Sequence, residues 1–318
     1  MIEQRNHLIE LLNTYFTTIS KSLSMLVLEN CSLNYQKDVQ ALSTRCQQPS
    51  NRHRSLRLVL LAAGAAMFVL VAGDALVSAW VAPSFAGATG SLLRFVLGAI
   101  ILAFLIRCGW GRRAGITRLK ATRKRFWWTG FLPLSIFLLA NLGGLDSSSW
   151  NFTRATMLSW IVENTAVGFV EEVLFRGFAL FILLEARGKT RRGLVAACIV
   201  QALLFGPLHL LNVLGGEPLM LVLSNSVFAT IVGVAFGAAD AYSGSLWTCV
   251  VLHGLIDMAA SANEVLGGKE RVVETTFSLS SFLPSLVVVV FVSLLPSLWI
   301  LYKAGLRSSH NAHREANG

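Results

Sequence analysis

Charge is scarce in this chain: Asp, Glu, Lys and Arg make up 14% of 318 residues, against about 25% in a soluble domain. A globule in water is therefore the first architecture to drop. Acid is scarcer than base, with 17 Asp and Glu against 27 Lys and Arg and a net charge of +10. Cysteine is thin and scattered. Cys31, Cys46, Cys108, Cys198 and Cys249 form no CxxC pair, so neither a zinc ribbon nor a disulfide framework is indicated. The sequence has no HExxH, no internal repeat and no low-complexity tract. Its polar, mixed first fifty residues do not read as a cleavable signal peptide.

Apolar sequence is abundant: 54% of residues are hydrophobic and the mean hydropathy is +0.61. A hydrocarbon core about 30 Å thick takes roughly 20 residues of helix. Eight stretches approach that length, at 58–81, 92–106, 126–142, 161–184, 194–211, 219–239, 246–262 and 282–302. Arg94 makes the second the weakest. The expected fold class is all-α, a polytopic membrane protein of about eight transmembrane helices. Residues 1–55 read as an N-terminal cytoplasmic extension, in which 7–29 form either an amphipathic surface helix or a poorly ordered stretch. Residues 56–142 hold the first three spans, 156–262 a core of spans four to seven, and 263–318 a loop, the last span and a cytoplasmic tail.

The positive charge is placed as an orientation signal. The loop 107–125 holds eight basic residues and no acid, and 185–192 holds four with one acid. Arg52, Arg54, Arg57, Lys303 and Arg307 flank the first and last spans, while the opposite loops hold only Arg154, Lys269 and Arg271. With eight crossings the basic segments all fall on one side. Cytoplasmic loops carry the Lys and Arg excess, so both termini are expected in the cytoplasm, the host bilayer being a cell inner (plasma) membrane. The basic excess is thus read as orientation and attraction for anionic lipid, and no nucleic-acid partner is expected.

An ionisable residue at mid-bilayer costs about 2.5 to 3.5 kcal/mol on insertion scales, and here such residues cluster. Glu163, Glu171, Glu172 and Arg176 share the fourth span, His209 follows Phe205 by four on the fifth, and His253 and Asp257 share the seventh. Asp74 and Arg94 stand apart on the first two. Spacing by four puts Glu172 and Arg176 on one helix face as a neutralising pair. Glu171, turned by about 100°, is left for chemistry. Glu163, about two turns earlier, is a candidate for a cavity mouth. Pro207 cannot donate a backbone hydrogen bond and should bend the fifth span.

The series Glu171-Glu172-x-x-x-Arg176, Phe205-x-x-x-His209 and His253-x-x-x-Asp257 resembles the three motifs of the CPBP family. These are intramembrane glutamic proteases related to CAAX prenyl protease 2-type enzymes and to bacteriocin-processing and immunity proteins. The resemblance covers about 161–262, a third of the chain. It implies an endopeptidase in which Glu171 is general base, holding a water with His209, while His253 and Asp257 lie near the oxyanion. Glu172, Arg176 and Phe205 would support them. Neither metal nor cofactor is implied, and the partners would be the bilayer and a peptide or protein substrate arriving from the membrane or its surface. An ionised Asp257 cannot donate to an oxyanion, so either it is protonated or it orients His253, the second being its expected task.

Other classes remain to be separated: a metal-dependent protease using Glu171, His209 and His253 as ligands, a proton-coupled transporter, and a catalytically silent scaffold or immunity protein. A ruler adds a difficulty. At 1.5 Å per residue, His209 lies about 24 Å along its span from the basic end and His253 about 10 Å along its own. Straight spans would keep them apart.

Overall fold

The computed structural model describes residues 52–117, 131–187, 190–267 and 278–303. The surface helix expected over 7–29 and the start of the third span lie outside them. Nine α-helices occur among the described residues: α1 (Arg52–Trp80), α2 (Pro83–Arg107), α3 (Leu132–Gly143), α4 (Arg154–Glu172), α5 (Phe181–Arg187), α6 (Arg191–Phe205), α7 (Leu219–Ser243), α8 (Leu246–Leu266) and α9 (Leu279–Val289). No strand is found among these residues. A π-helical stretch, Val173–Leu180, joins α4 to α5, and α6 runs on through the 3-10 stretch Gly206–Gly215. α9 continues through Val290–Leu294 as far as Lys303. The described chain is therefore an all-helical bundle of eight rods, as the apolar stretches predict.

Five rods are long and apolar enough to cross a membrane: Leu56–Val77, Phe85–Arg107, Arg191–Val213, Leu219–Ser243 and Leu279–Lys303. α3 is short, at 12 residues. The α4–α5 rod and α8 are the ones that carry Glu163, Glu171, Glu172, Arg176, His253 and Asp257. Those polar groups lower the hydropathy of the helices that hold them. Large apolar side chains such as Phe68, Ile100, Leu203, Val251 and Phe291 are exposed on the outside of the bundle, a surface suited to lipid.

Contacts gather the basic segments at one end. Arg113 pairs with Glu185, and Trp247 Nε1 donates to the Ile116 carbonyl at 2.7 Å. The Arg191 guanidinium lies 3.9 Å from the Tyr302 ring centroid. The turn between α7 and α8 closes on Gly244, with φ +69°, and a Cβ on Gly115 would come within 3.1 Å of the Gly244 oxygen. At the other end Asn263 accepts from the Asp146 N–H at 2.8 Å and donates to the Gly144 carbonyl at 2.8 Å. Asn151 N–H donates to the Leu266 carbonyl at 2.8 Å. The ends of α2, α5, α7 and α9 thus meet the starts of α6 and α8, as strictly alternating rods require.

Two features set the positions of the motif residues. The first is the contact of α4 with α8, where a Cβ on Gly168 would sit 2.9 Å from the Gly254 backbone nitrogen. Small residues let helix backbones approach this closely. Gly168→Ala is therefore expected to force the two helices apart, an overpacking cost of about 1–3 kcal/mol. A Cβ on Gly254 would meet nothing nearer than 3.6 Å, so Gly254→Ala should instead show the helix-propensity gain of up to about 1 kcal/mol. Thermal unfolding in detergent, which should shift in opposite directions for the two variants, checks this.

The second is the end of α6. Pro207 supplies no N–H, and the Gly206 carbonyl accepts from the Ser226 hydroxyl at 3.0 Å. A Cβ on Gly206 would collide with the Thr230 hydroxyl, so α7 presses directly on this point. The chain leaves α geometry at Gly206 and carries His209 on a 3-10 turn, the change of course that Pro207 predicts.

Candidate active site

Glu172 ends α4 and Arg176 follows in the π-helical stretch. Both side chains are 0% exposed, and Arg176 Nη1 donates to Glu172 Oε1 at 2.8 Å. The neutralising pair read from the spacing is thus formed. Its surroundings come from other rods. The guanidinium lies between two rings, 4.6 Å from the Phe205 centroid and 4.9 Å from that of Phe236, each a cation–π contact. Nη2 reaches the Gly233 carbonyl at 3.4 Å. Such a desolvated pair persists only when paired and hydrogen-bonded on several sides. The π-helical stretch right after Glu172 replaces i→i+4 bonds by i→i+5 ones, a local widening frequent at functional sites. All eight of its residues are buried.

His253 binds the same carboxylate, with Nδ1 2.6 Å from Glu172 Oε1. With Nδ1–H donating to Glu172, Nε2 faces Glu171 Oε2 at 3.6 Å and Asp257 Oδ2 at 3.4 Å. This differs from the expectation that Asp257 orients His253. The shorter contact comes from Glu172 on α4. The close approach of α4 and α8 at Gly168 and Gly254 sets that carboxylate against Nδ1, whereas Asp257, on the same helix as His253, reaches only the far nitrogen. An imidazole with carboxylates at both nitrogens is suited to holding and passing a proton.

Phe236 of α7 stacks on the His253 ring, with centroids 5.0 Å apart and planes at 25°. No motif contains it, and sequence reasoning missed it. The available signal was weak: one aromatic among the small residues of Gly233-Val-Ala-Phe-Gly-Ala-Ala. Phe236→Leu should lower stability by about 1 kcal/mol, the typical value of a ring contact beyond its area. It should lower kcat while leaving KM near wild type, because Phe236 does not line the cavity described next. Thermal unfolding and steady-state kinetics test both.

A cavity of about 590 Å³ is walled by α1, α2, the α4–α5 rod and the α6 rod. Its lining is largely apolar, with Met67, Leu70, Val71 and Leu208, and it holds the polar side chains of Glu171, His209, Asn212, Asp74 and Arg94. Glu171 and His209 therefore share one chamber. His253 and Asp257 are not on its wall; they stand behind Glu171. Phe205 sits between the two histidines, with ring centroids 5.1 Å from His209 and 6.2 Å from His253. The packing of the α6 rod against α8 thus removes the difficulty read from straight spans, since Phe205, still in regular α6, already lies against His253. His209 Nδ1 is buried and has no hydrogen-bond partner among the described residues; such an atom calls for water or a ligand.

Asp74 and Arg94 form a two-bond ion pair on the cavity wall, at 2.7 and 3.2 Å. Glu163 is not on that wall. It accepts from the Ser159 hydroxyl at 2.6 Å and abuts Gly87 of α2, so it packs the α2–α4 contact instead of marking the mouth. Asp74 and Asn212 lie late in α1 and in the α6 rod, so the cavity extends from Glu171 towards the end opposite the basic loops.

Residues 153–259 match the family model described as Rce1-like, type II CAAX prenyl endopeptidase. No curated protein and no solved structure matches the chain. The match spans all three motifs and agrees with the CPBP, CAAX protease 2-like resemblance read from them. At family level it is a match to proteases.

Proposed function

We propose that this protein is an intramembrane endopeptidase that hydrolyses a peptide bond with a water activated by Glu171. One observation carries the reading: the Glu171 carboxylate lines the chamber that holds His209 and lies 3.6 Å from His253 Nε2. Peptide hydrolysis needs a base for the water, stabilisation of the tetrahedral oxyanion and a proton for the leaving amine. Glu171 and His209 hold the water between them, and Glu171 takes its proton as the oxygen attacks the carbonyl carbon. The same proton returns to the departing amine nitrogen as the C–N bond breaks. His253, fixed by Glu172, is the donor to the developing negative charge, which it reaches past the Glu171 side chain from behind the chamber wall. Asp257 acts through His253 at 3.4 Å and does not meet the oxyanion itself. Glu172, Arg176 and Phe205 hold this arrangement.

The substrate is a peptide or protein that enters from the bilayer or from the face opposite the basic loops. Prenylation belongs to the name of the matched family and is not carried over. The gathering of basic segments at one end supports an orientation with both termini cytoplasmic, and the host bilayer is proposed to be the inner (plasma) membrane. Comparative peptidomics of membranes carrying wild-type protein or Glu171→Ala tests the reading: products present only with wild type support it. Identical peptide profiles would turn the assignment towards a silent scaffold or immunity protein.

A further inference from the structure

Asn212 follows His209 by three residues, and both lie in the 3-10 stretch Gly206–Gly215 and line the cavity. In a 3-10 helix side chains three apart eclipse one another, so the two stand in one column. An α-helix would have rotated them apart by about 60°. Three residues at 2.0 Å rise separate them by about 6 Å, which is the advance of roughly two residues of extended peptide.

The Asn212 side chain is exposed to the cavity and makes no hydrogen bond among the described residues. The side chains of Asn141, Asn164 and Asn263 behave otherwise, each donating to a backbone carbonyl. The Asn212 backbone is held, because its carbonyl accepts from Glu217 N–H at 3.4 Å. Gly216, with φ +92°, then ends the stretch. A fixed backbone thus presents a free carboxamide, one donor group and one acceptor, to a chamber whose neighbouring wall residues Leu208 and Leu211 are apolar. That is the complement of a peptide group.

We infer that Asn212 hydrogen-bonds the substrate backbone about two residues from the scissile bond and so sets the register in which that bond meets Glu171 and His209. The inference rests on the protease reading and adds a specificity-determining residue to it. It predicts recognition of an extended backbone irrespective of the side chain at that position.

The test uses full-length protein in detergent and a proteome-derived peptide mixture, with cleaved bonds read by mass spectrometry. The best-cleaved peptide is then resynthesised with single N-methyl groups along its backbone. Loss of one hydrogen bond predicts about a 5- to 10-fold rise in KM for Asn212→Leu, with kcat little changed. Wild type should lose a similar factor on methylation two residues from the cleaved bond, and Asn212→Leu should show no further loss there. If Asn212→Leu does not fold, the isosteric Asn212→Asp, which loses the donor, should show the same KM rise. An unchanged KM, or a methylation penalty equal in wild type and variant, overturns the role of Asn212 while leaving the protease reading intact. A wild type that cleaves no peptide in the mixture overturns the protease reading, and the inference with it.

Discussion

Glu171→Gln should lower kcat by about 10² to 10⁴, the usual contribution of a positioned acid–base group, with unfolding close to wild type. The substitution keeps the shape of the side chain and removes its ability to take a proton. Glu171 is 27% exposed and its carboxylate lies 3.6 Å from His253 Nε2, so little packing depends on its charge. Glu171→Asp, which draws the carboxylate back by one methylene, should fall between Gln and wild type. Cleavage by Glu171→Gln within threefold of wild type, measured on a processed peptide found by peptidomics, would sink the proposed mechanism.

Arg176→Met should be the most destabilising of the substitutions considered, by about 3–5 kcal/mol, the usual cost of breaking a buried pair from one side. It leaves the 0% exposed Glu172 carboxylate without its 2.8 Å partner and empties the space between Phe205 and Phe236. Glu172→Gln strands the guanidinium between those two rings and also loosens the Nδ1 contact of His253. The double variant Glu172→Gln, Arg176→Met should be more stable than the sum of the single losses, with a coupling of about 1–3 kcal/mol. Its activity should nonetheless stay low, because His253 has lost the carboxylate that orients it. Thermal unfolding and cleavage rates of the three proteins separate the two effects, and singles that unfold like wild type would show that the pair does not hold the site together.

The fold was largely legible from hydropathy. Long apolar runs with few charges predict helical rods, because in lipid every backbone group must be satisfied within its own segment. Seven of the eight predicted stretches correspond to described rods over most of their length, and the third does so from Phe131 onward. The polar motif residues were legible for the same reason, since ionisable groups in an apolar run stand out. The Glu172–Arg176 pair followed from spacing by four within a single helix. A bend at the end of α6 was legible from the absent N–H of Pro207, but the 3-10 course from Gly206 depends also on the pressure of α7 on Gly206, which local geometry does not show.

What the sequence by itself determined is the helical class, the number of rods, their alternation and the residue types available for chemistry, because these depend on composition and on periodicity along one segment. The tertiary structure alone decided which carboxylate orients His253, that Phe236 covers that ring, that α1 and α2 wall the cavity of Glu171 and His209, and that Asn212 stands in line with His209. Each of these is a relation between rods, or a departure from regular helix imposed by a neighbouring rod. Spacing within one helix carries no information about either.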